Sequence, residues 1–419
     1  MKISSCLIAK NEAENISRCL ESIKSISNEI IVVDTGSTDN TVEIAKSFGA
    51  RVFFYEWDNN FSNAKNYALD KATGDWIIFL DADEYLEENT QKNLISVLKR
   101  VYGKKEFDGV LCKMVNIERL SGRVISENPI LRIFRGNVGI RYIGAIHEYP
   151  VKSGESLKAA SINDTSLIIY HTGYSSDILS GKTRRNLEIL EDQISKGFKD
   201  DKTYYYMSLM NWNLGNHEET IKYALLALEE PGLEKTIVAY MPYIFLILSM
   251  LKLQDKYPAD EIDKYVDESI SKYPVHPEIW YARGKVKMAR KDYTGAIQSY
   301  QKALECNRNF NLLMNNSFPS HLEEVYLDLA ESYLHTGENV RALDCYYEAL
   351  KSNKWSVNAL EGLYGLIRTQ QPAEIILFLN SIYDKNSRED LAFLVHAMNR
   401  FNNSLIANYY YKLYESLQS

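Results

Sequence analysis

From Ile3 to Leu80 the chain repeats one unit: a short unbroken apolar run, then a stretch with an apolar residue every three or four positions. The runs are ISSCLIAK, EIIVVD, RVFFYEW and DWIIFLD. Continuous β-branched and aromatic runs of this length predict strands buried on both faces. Between them, AENISRCLESIKS places Ile16, Cys19, Leu20 and Ile23 on one helical stripe. GSTDNTVEIAKSFG predicts a turn and a helix stopped at Gly49, and NFSNAKNYALDKATG predicts a third helix. Strands alternating with helices at this spacing predict an α/β domain, a mostly parallel sheet with helices on both faces. Residues 105–175 break the alternation. FDGVLCKMVNIE, NPILRIFRG, YIGAIHEYP and LIIYHTGY predict strands, with a turn at Gly136–Asn137, and so an antiparallel extension.

From about residue 185 the period is helical throughout. IWYARGKVKMARKDYTGAIQSYQKALE carries Trp280, Gly284, Ala296, Tyr300 and Ala303. VYLDLAESYLHTGENVRALDCYYEALK carries Tyr326, Ala330, Gly337, Ala342, Tyr346 and Ala349. NWNLGNHEETIKYALLALEEP repeats the pattern more weakly through Gly215, Thr220, Ala224, Ala227 and Pro231, and HAMNRFNNSLIANYYYKLY reads as a last repeat or cap. These segments resemble tetratricopeptide repeats, pairs of antiparallel helices of ~34 residues with small residues where the helices cross. The change of period divides the chain into residues 1–178, a connecting helix over 179–202, and an all-α repeat domain over 203–419. Stacked repeats build a concave surface that commonly holds an extended peptide. The other uses of such a surface are to brace the first domain or to form a homodimer.

Composition narrows the partners. The net charge is −8 over 419 residues, which argues against nucleic acid. Five scattered cysteines without a Cys-x-x-Cys fit a reducing cytoplasm, with no zinc ribbon or redox motif. The first residues hold too short an apolar run for a signal peptide. The apolar stretch Thr236–Lys252 falls short of a membrane span and contains Pro242, so a buried helix is expected.

The polar residues of the first half gather at the carboxyl ends of the predicted strands, where open α/β sheets bind ligands. They are Asn11, Glu12, Asp34, Asp81 and Asp83. An Asp-x-Asp after a buried strand has three readings: a divalent metal on a nucleotide diphosphate, a phosphatase aspartyl nucleophile, or a capped loop without chemistry. The phosphatase reading wants the motif on the first strand, and here it ends the fourth. Hard carboxylate oxygens suit Mg²⁺ or Mn²⁺.

Taken together, AKNEAENISRCLESI, EIIVVDTGSTDNT and FSNAKNYALDKATGDWIIFLDADE resemble an inverting family 2 glycosyltransferase of the GT-A fold. LRIFRGNVGIRYIGAIHEYP, IIYHTGY and KTRRN, with the repeats, are similar to the peptide S-glycosyltransferases that modify glycocin bacteriocins.

The resemblance implies a UDP-hexose donor, most simply UDP-glucose, and a peptide acceptor, Cys or alternatively Ser, of a bacteriocin-like precursor. A cell-surface glycan acceptor and a non-catalytic peptide-binding scaffold are the alternatives. It further implies that Ala9, Asn11 and Glu12 cradle the uracil and that Asp34 holds uracil or ribose. Lys65 would reach the nucleotide or phosphate. Asp81 would face ribose or metal, and Asp83 would ligate the metal with His171 as a third ligand. Glu84 reads as a solvated acid at a helix start. Lys182, Arg184 and Arg185 would neutralise the departing diphosphate. Glu148 is the expected base and His147 its rival, since neighbouring side chains on a strand face opposite ways.

Overall fold

The computed structural model describes residues 1–160, 167–173, 176–197, 199, 202–310 and 315–417. Tyr174 of the last predicted strand, and residues 198, 200 and 201 of the predicted connector, lie outside the described residues.

The predicted alternation is present. Strand β1 (Ile3–Ala9) leads to α1 (Ile16–Lys24), β2 (Glu29–Asp34) to α2 (Thr41–Ser47), β3 (Arg51–Phe54) to α3 (Phe61–Leu69), and then β4 (Trp76–Phe79) follows. The strands β3, β2, β1 and β4 lie side by side in parallel. Each strand has side chains on both faces, so its alternate residues enter two different cores. Leu7, Val32 and Ile78 pack on one face with the α1 stripe Ile16, Cys19, Leu20 and Ile23. Cys6, Ile8, Ile31, Val33, Ile77 and Phe79 pack on the other, against Ala64 and Ala68 of α3.

Beyond β4 come β5 (Glu84–Leu86), α4 (Glu88–Tyr102), β6 (Gly109–Ile117), β7 (Val124–Arg135), β8 (Ile140–Ile143), β9 (Tyr149–Lys152), β10 (Glu155–Ser156), β11 (Ala159–Ala160) and β12 (Ile168–His171). The expected antiparallel extension is divided between two sheets. Strand β7 runs antiparallel between β4 and β6 inside the main sheet, while β8, β9 and β10 form a separate small sheet. Strand β12 pairs in parallel with β6 and antiparallel with β5, which sets His171 opposite both Asn116 and Glu84. YIGAIHEYP is not one strand. It ends β8 at Ile143 and re-enters β9 at Tyr149, so 144–148 is a loop.

The rest of the chain is helical: α5 (Ser176–Ser195), α6 (Thr203–Asn213), α7 (His217–Glu229), α8 (Met241–Lys252), α9 (Ala259–Lys272), α10 (Pro277–Ala289), α11 (Tyr293–Arg308), α12 (Leu322–His335), α13 (Asn339–Ser352), α14 (Val357–Ile367), α15 (Pro372–Leu379), α16 (Arg388–Arg400) and α17 (Ser404–Ser416). Helices α6–α7, α10–α11, α12–α13 and α16–α17 pack as adjacent pairs. The small residues Ala224, Ala227, Ala296, Ala303, Ala330, Ala342 and Ala349 are buried at the crossings. The apolar stretch around Pro242 is the buried helix α8, and among the described residues no helix is long and apolar enough to cross a membrane. The chain forms two compact units, Met1–Ser249 with Asn311–Asn316, and Met250–Phe310 with Ser317–Ser419. Helices α5, α6 and α7 therefore belong to the same unit as the sheet.

Gly284 shows why the repeat needs a small residue. A β-carbon there would lie 2.3 Å from the Tyr300 ring of the paired helix. Gly365, on an exposed face of α14, would meet nothing within 4 Å. Gly284→Val is expected to cost about 1–3 kcal/mol by overpacking. Gly365→Ala should be neutral or stabilise by up to about 1 kcal/mol, because helical glycine gives up more backbone entropy than alanine. Denaturant unfolding of the two variants checks both.

Candidate active site

The site is built at the carboxyl ends of β1, β2 and β4. Ala9 and Asp34 end their strands in register. Asp34 Oδ1 accepts the backbone N–H groups of Gly36 and Ser37, each at 3.0 Å. Its Oδ2 is buried and has no hydrogen-bond partner among the described residues. A buried carboxylate oxygen without a donor is costly, so this atom is a ready acceptor for a ligand N–H or O–H. Asn11, in the left-handed region at φ +56°, ties the loop after β1 to the loop after β2: its Oδ1 accepts from the Thr38 N–H at 2.8 Å. Glu12 is anchored by its own backbone N–H to Thr41 Oγ1 and by Asn15 to its carboxylate, at 2.8 Å each. Burial, with Asp83 and Asp81 nearby, raises the Glu12 carboxyl above the usual carboxylate value.

The carboxylates after β4 separate into two groups. In the first, Lys65 of α3, fully buried, bonds Asp81 Oδ1 at 2.8 Å and Glu148 Oε1 at 2.6 Å. Arg132 of β7 binds Asp81 Oδ2 at 2.5 Å and also pairs with Glu84. Glu84 in turn accepts the backbone N–H of Asp81 at 3.1 Å. Three acids, Asp81, Glu84 and Glu148, thus share two cations. Burial pulls the Lys65 ammonium down, but Asp81 and Glu148 outweigh it and hold its pKa above the usual lysine value. Burial likewise raises the Asp81 carboxyl, and Arg132 and Lys65 outweigh that, leaving it well below the usual range. Glu84 goes the other way: burial raises it in spite of Arg132.

The second group lies around Asp83. Lys182 of α5 bonds Asp83 Oδ2 at 2.8 Å, and His171 Nε2 lies 3.5 Å from Asp83 Oδ1. The other ring nitrogen, Nδ1, is 2.6 Å from Asn116 Oδ1, the kind of second contact that fixes an imidazole's tautomer and orientation. Against burial, Asp83 raises the His171 pKa, and His171 and Lys182 depress that of Asp83. Gly173 closes this pocket. A β-carbon there would come within 2.3 Å of both Asp83 Oδ2 and His171 Nε2. Arg185 is exposed at the edge of this group, its guanidinium 5.5 Å from the Phe61 ring centroid and electrostatically coupled to Glu12 and Asp83. Arg184 is also exposed.

Several expectations change. Lys65 does not reach outward to a phosphate; it is a buried clamp between two carboxylates. Glu84 is neither solvated nor at a helix start. It begins β5, is 1% exposed and is paired with Arg132. Asp81 is set apart from Asp83 and His171, both of its oxygens being held by cations. Among the described residues no three Asp, Glu, His or Cys side chains form a metal-binding cluster, so a cation here would draw on Asp83 and His171 and on oxygens of its ligand. Asp83 and His171 suit Mg²⁺ or Mn²⁺ in donor type, and the cradle at Gly173 keeps a side chain from filling the space between them. His147 and Glu148 do not alternate along a strand. His147 takes a left-handed turn at φ +52° and stacks face to face on Tyr206, and burial with Lys202 nearby depresses its pKa to about 3. Arg132 is absent from the sequence expectations. Its one signal is a lone arginine inside the otherwise apolar ILRIF of a strand.

The glycosyl transferase family 2 model matches residues 4–119, and a tetratricopeptide repeat model matches 277–310. The SPbeta prophage-derived glycosyltransferase SunS of Bacillus subtilis is 30% identical over 331 residues, 77% of this chain and 75% of SunS. A TPR repeat-containing protein of Synechococcus elongatus is 34% identical over 197 residues, 45% of this chain and 47% of that protein. Among solved structures, glucosyl-3-phosphoglycerate synthase from Mycobacterium tuberculosis, in complex with Mn²⁺, UDP and glucosyl-3-phosphoglycerate, matches 28% of this chain and 44% of its own, at 25% identity and a TM-score of 0.23.

The ion-pair network makes a stability prediction. Arg132→Leu strands Glu84 and part of Asp81 without a counter-charge and should cost about 3–5 kcal/mol. Adding Glu84→Gln should return a large part of that loss, because the buried group is then neutral. Urea unfolding of the single and double variants measures the coupling.

Proposed function

The chain belongs to glycosyl transferase family 2, and on that premise we propose that it moves a hexose, most simply glucose, from a UDP-sugar to a peptide side chain in a metal-dependent, inverting transfer. The observation that supports this most directly is the approach of His171 to Asp83 at the strand ends, flanked by Lys182 and Arg185. A Mg²⁺ or Mn²⁺ held by Asp83 and His171 would supply positive charge for the diphosphate. The unpartnered Asp34 oxygen suits the imide N–H of uracil or a ribose hydroxyl, with Ala9, Asn11 and Glu12 forming the adjacent loop. Asp81, locked between Lys65 and Arg132, supports the loop and in this reading leaves direct ligation to Asp83. Lys182 and Arg185 carry the charge of the departing diphosphate, a form of help that is often the largest catalytic term.

Glu148 is the base in this reading. The acceptor atom bonds to the anomeric carbon, the bond from that carbon to the diphosphate oxygen breaks with its electron pair, and the acceptor proton passes to Glu148. His147 is a poor rival. A ring with a pKa of about 3 has little tendency to take a proton at neutral pH.

The acceptor is a peptide, with Cys ahead of Ser, from a bacteriocin-like precursor held by the helical repeats. This rests on the likeness of the 130–186 segment to peptide S-glycosyltransferases and on the relation to SunS. A thiol also asks less of a carboxylate already bound to Lys65 than a hydroxyl would, because it ionises near pH 8.5. Action in the cytoplasm belongs to the same reading, since all five cysteines are buried free thiols.

Incubation with UDP-sugars, Mn²⁺ or Mg²⁺ and Cys- or Ser-containing peptides, followed by mass spectrometry, should give one hexose addition per peptide. Asp83→Ala should lower transfer by at least about 100-fold, the equivalent of a lost metal contact of several kcal/mol. Glu148→Gln should lower it by about 100- to 10,000-fold at neutral pH. Chelation by EDTA should abolish transfer, and Mn²⁺ should restore it. No UDP release under any pairing, or full activity of Asp83→Ala, contradicts the proposal.

A further inference from the structure

We propose that Tyr206 of α6 is a positioning residue for the base, holding Glu148 toward Lys65 through its ring stack on His147. The inference rests on the reading of Glu148 as the base.

The loop that carries Glu148 is strained. Gly144 sits at φ +93° and His147 at φ +52°. For a residue with a β-carbon, a left-handed backbone costs of order 1–2 kcal/mol and persists only where the surroundings hold it. The first half of the loop is held by the start of α3. The Phe61 N–H donates to Ala145 O at 2.8 Å, and Ser62 Oγ donates to Gly144 O at 2.5 Å. The second half is held by the helical segment. Ile146 packs against the apolar cluster of Leu190, Met207 and Met210. His147 lies on Tyr206 with ring centroids 3.5 Å apart and planes 5° from parallel. Tyr149 receives the Lys202 ammonium 4.1 Å above its ring. The residues on either side of Glu148 are therefore both fastened to α6 or the residue preceding it.

His147 contributes its ring face rather than a proton or a hydrogen bond at Nε2, which is buried without a hydrogen-bond partner among the described residues. The helical segment thus shapes the reacting centre as well as holding an acceptor. A loss of the stack frees the left-handed turn to relax, and the carboxylate swings from its place. A displacement of about 1 Å at a reacting group can cost on the order of 100-fold in rate.

The test uses the full chain with UDP-glucose, Mn²⁺ and a synthetic peptide carrying one cysteine. Tyr206→Ala and His147→Asn each remove one ring of the stack; asparagine tolerates the left-handed backbone. Both should lower kcat by about 10- to 100-fold at pH 7, with KM for UDP-glucose within about two-fold of wild type. Tyr206→Phe keeps the ring and should retain wild-type kcat. Raising the pH through about 8.5 should shrink the deficit of both impaired variants, because a thiolate needs no base. General damage to the fold would not recover with pH. Wild-type kcat in Tyr206→Ala and His147→Asn, a Tyr206→Phe as impaired as Tyr206→Ala, or a deficit unchanged between pH 7 and 9 would overturn the proposal. Glu148→Gln separates the two readings. If it is inactive while Tyr206→Ala is normal, only the role of Tyr206 fails; if Glu148→Gln is fully active, the assignment of the base fails first.

Discussion

The architecture of the site follows from neutralising buried carboxylates at the end of β4. Asp81, Asp83 and Glu84 leave a strand whose four residues are all buried; Asp83 and Glu84 are buried themselves and Asp81 is half-buried, so they cannot be solvated as surface acids are. Each buried charge costs several kcal/mol unless it is paired with good geometry. The counter-charges come from elements distant in sequence: Lys65 from α3, Arg132 from β7 and Lys182 from α5. Strand β7 must run between β4 and β6 for Arg132 to arrive. Strand β12 must lie beside β5 for His171 to meet Asp83. The ordering of strands and the charge arrangement are two sides of one constraint.

That constraint divides the labour among the acids. Asp81 and Glu84 are consumed by internal cations and stiffen the loop. Asp83 keeps a side that faces His171 and Lys182. Lys182, on the connecting helix, is only partly buried, whereas Lys65 is sealed in. The helical region takes part as well. Its first helices belong to the sheet's own compact unit and fasten the loop that carries Glu148.

What the sequence reveals is set by the range of each interaction. The strands β1 to β4 and their helices are legible because burial on both faces writes unbroken apolar runs, and the repeat pairs because close helix crossings require small residues at fixed spacing. Asp34, Asp81, Asp83 and His171 are legible as polar residues at strand ends. Arg132 is not, because a single arginine in ILRIF looks the same whether it faces solvent or two buried acids; only the antiparallel placement of β7 decides it. Lys65 has the right residue type but a different partner, since the position of Glu148 depends on a loop. That loop is illegible for a related reason. Alternation along YIGAIHEYP suggests a strand, and the left-handed turn at His147 breaks it where the ring meets Tyr206 of α6, a contact distant in sequence that local propensity does not record.

In the proposed reaction Asp83 and His171 receive a divalent cation on a nucleotide diphosphate, and Lys182 moves from the acid to the phosphate. A crystal structure with UDP and Mn²⁺, using the anomalous signal of manganese, tests this most directly. The expected result is a manganese peak ligated by Asp83 and His171, with Lys182 turned away from Asp83 toward the diphosphate. Manganese elsewhere, or UDP bound with the Lys182–Asp83 ion pair intact and no metal between protein and phosphate, would contradict it.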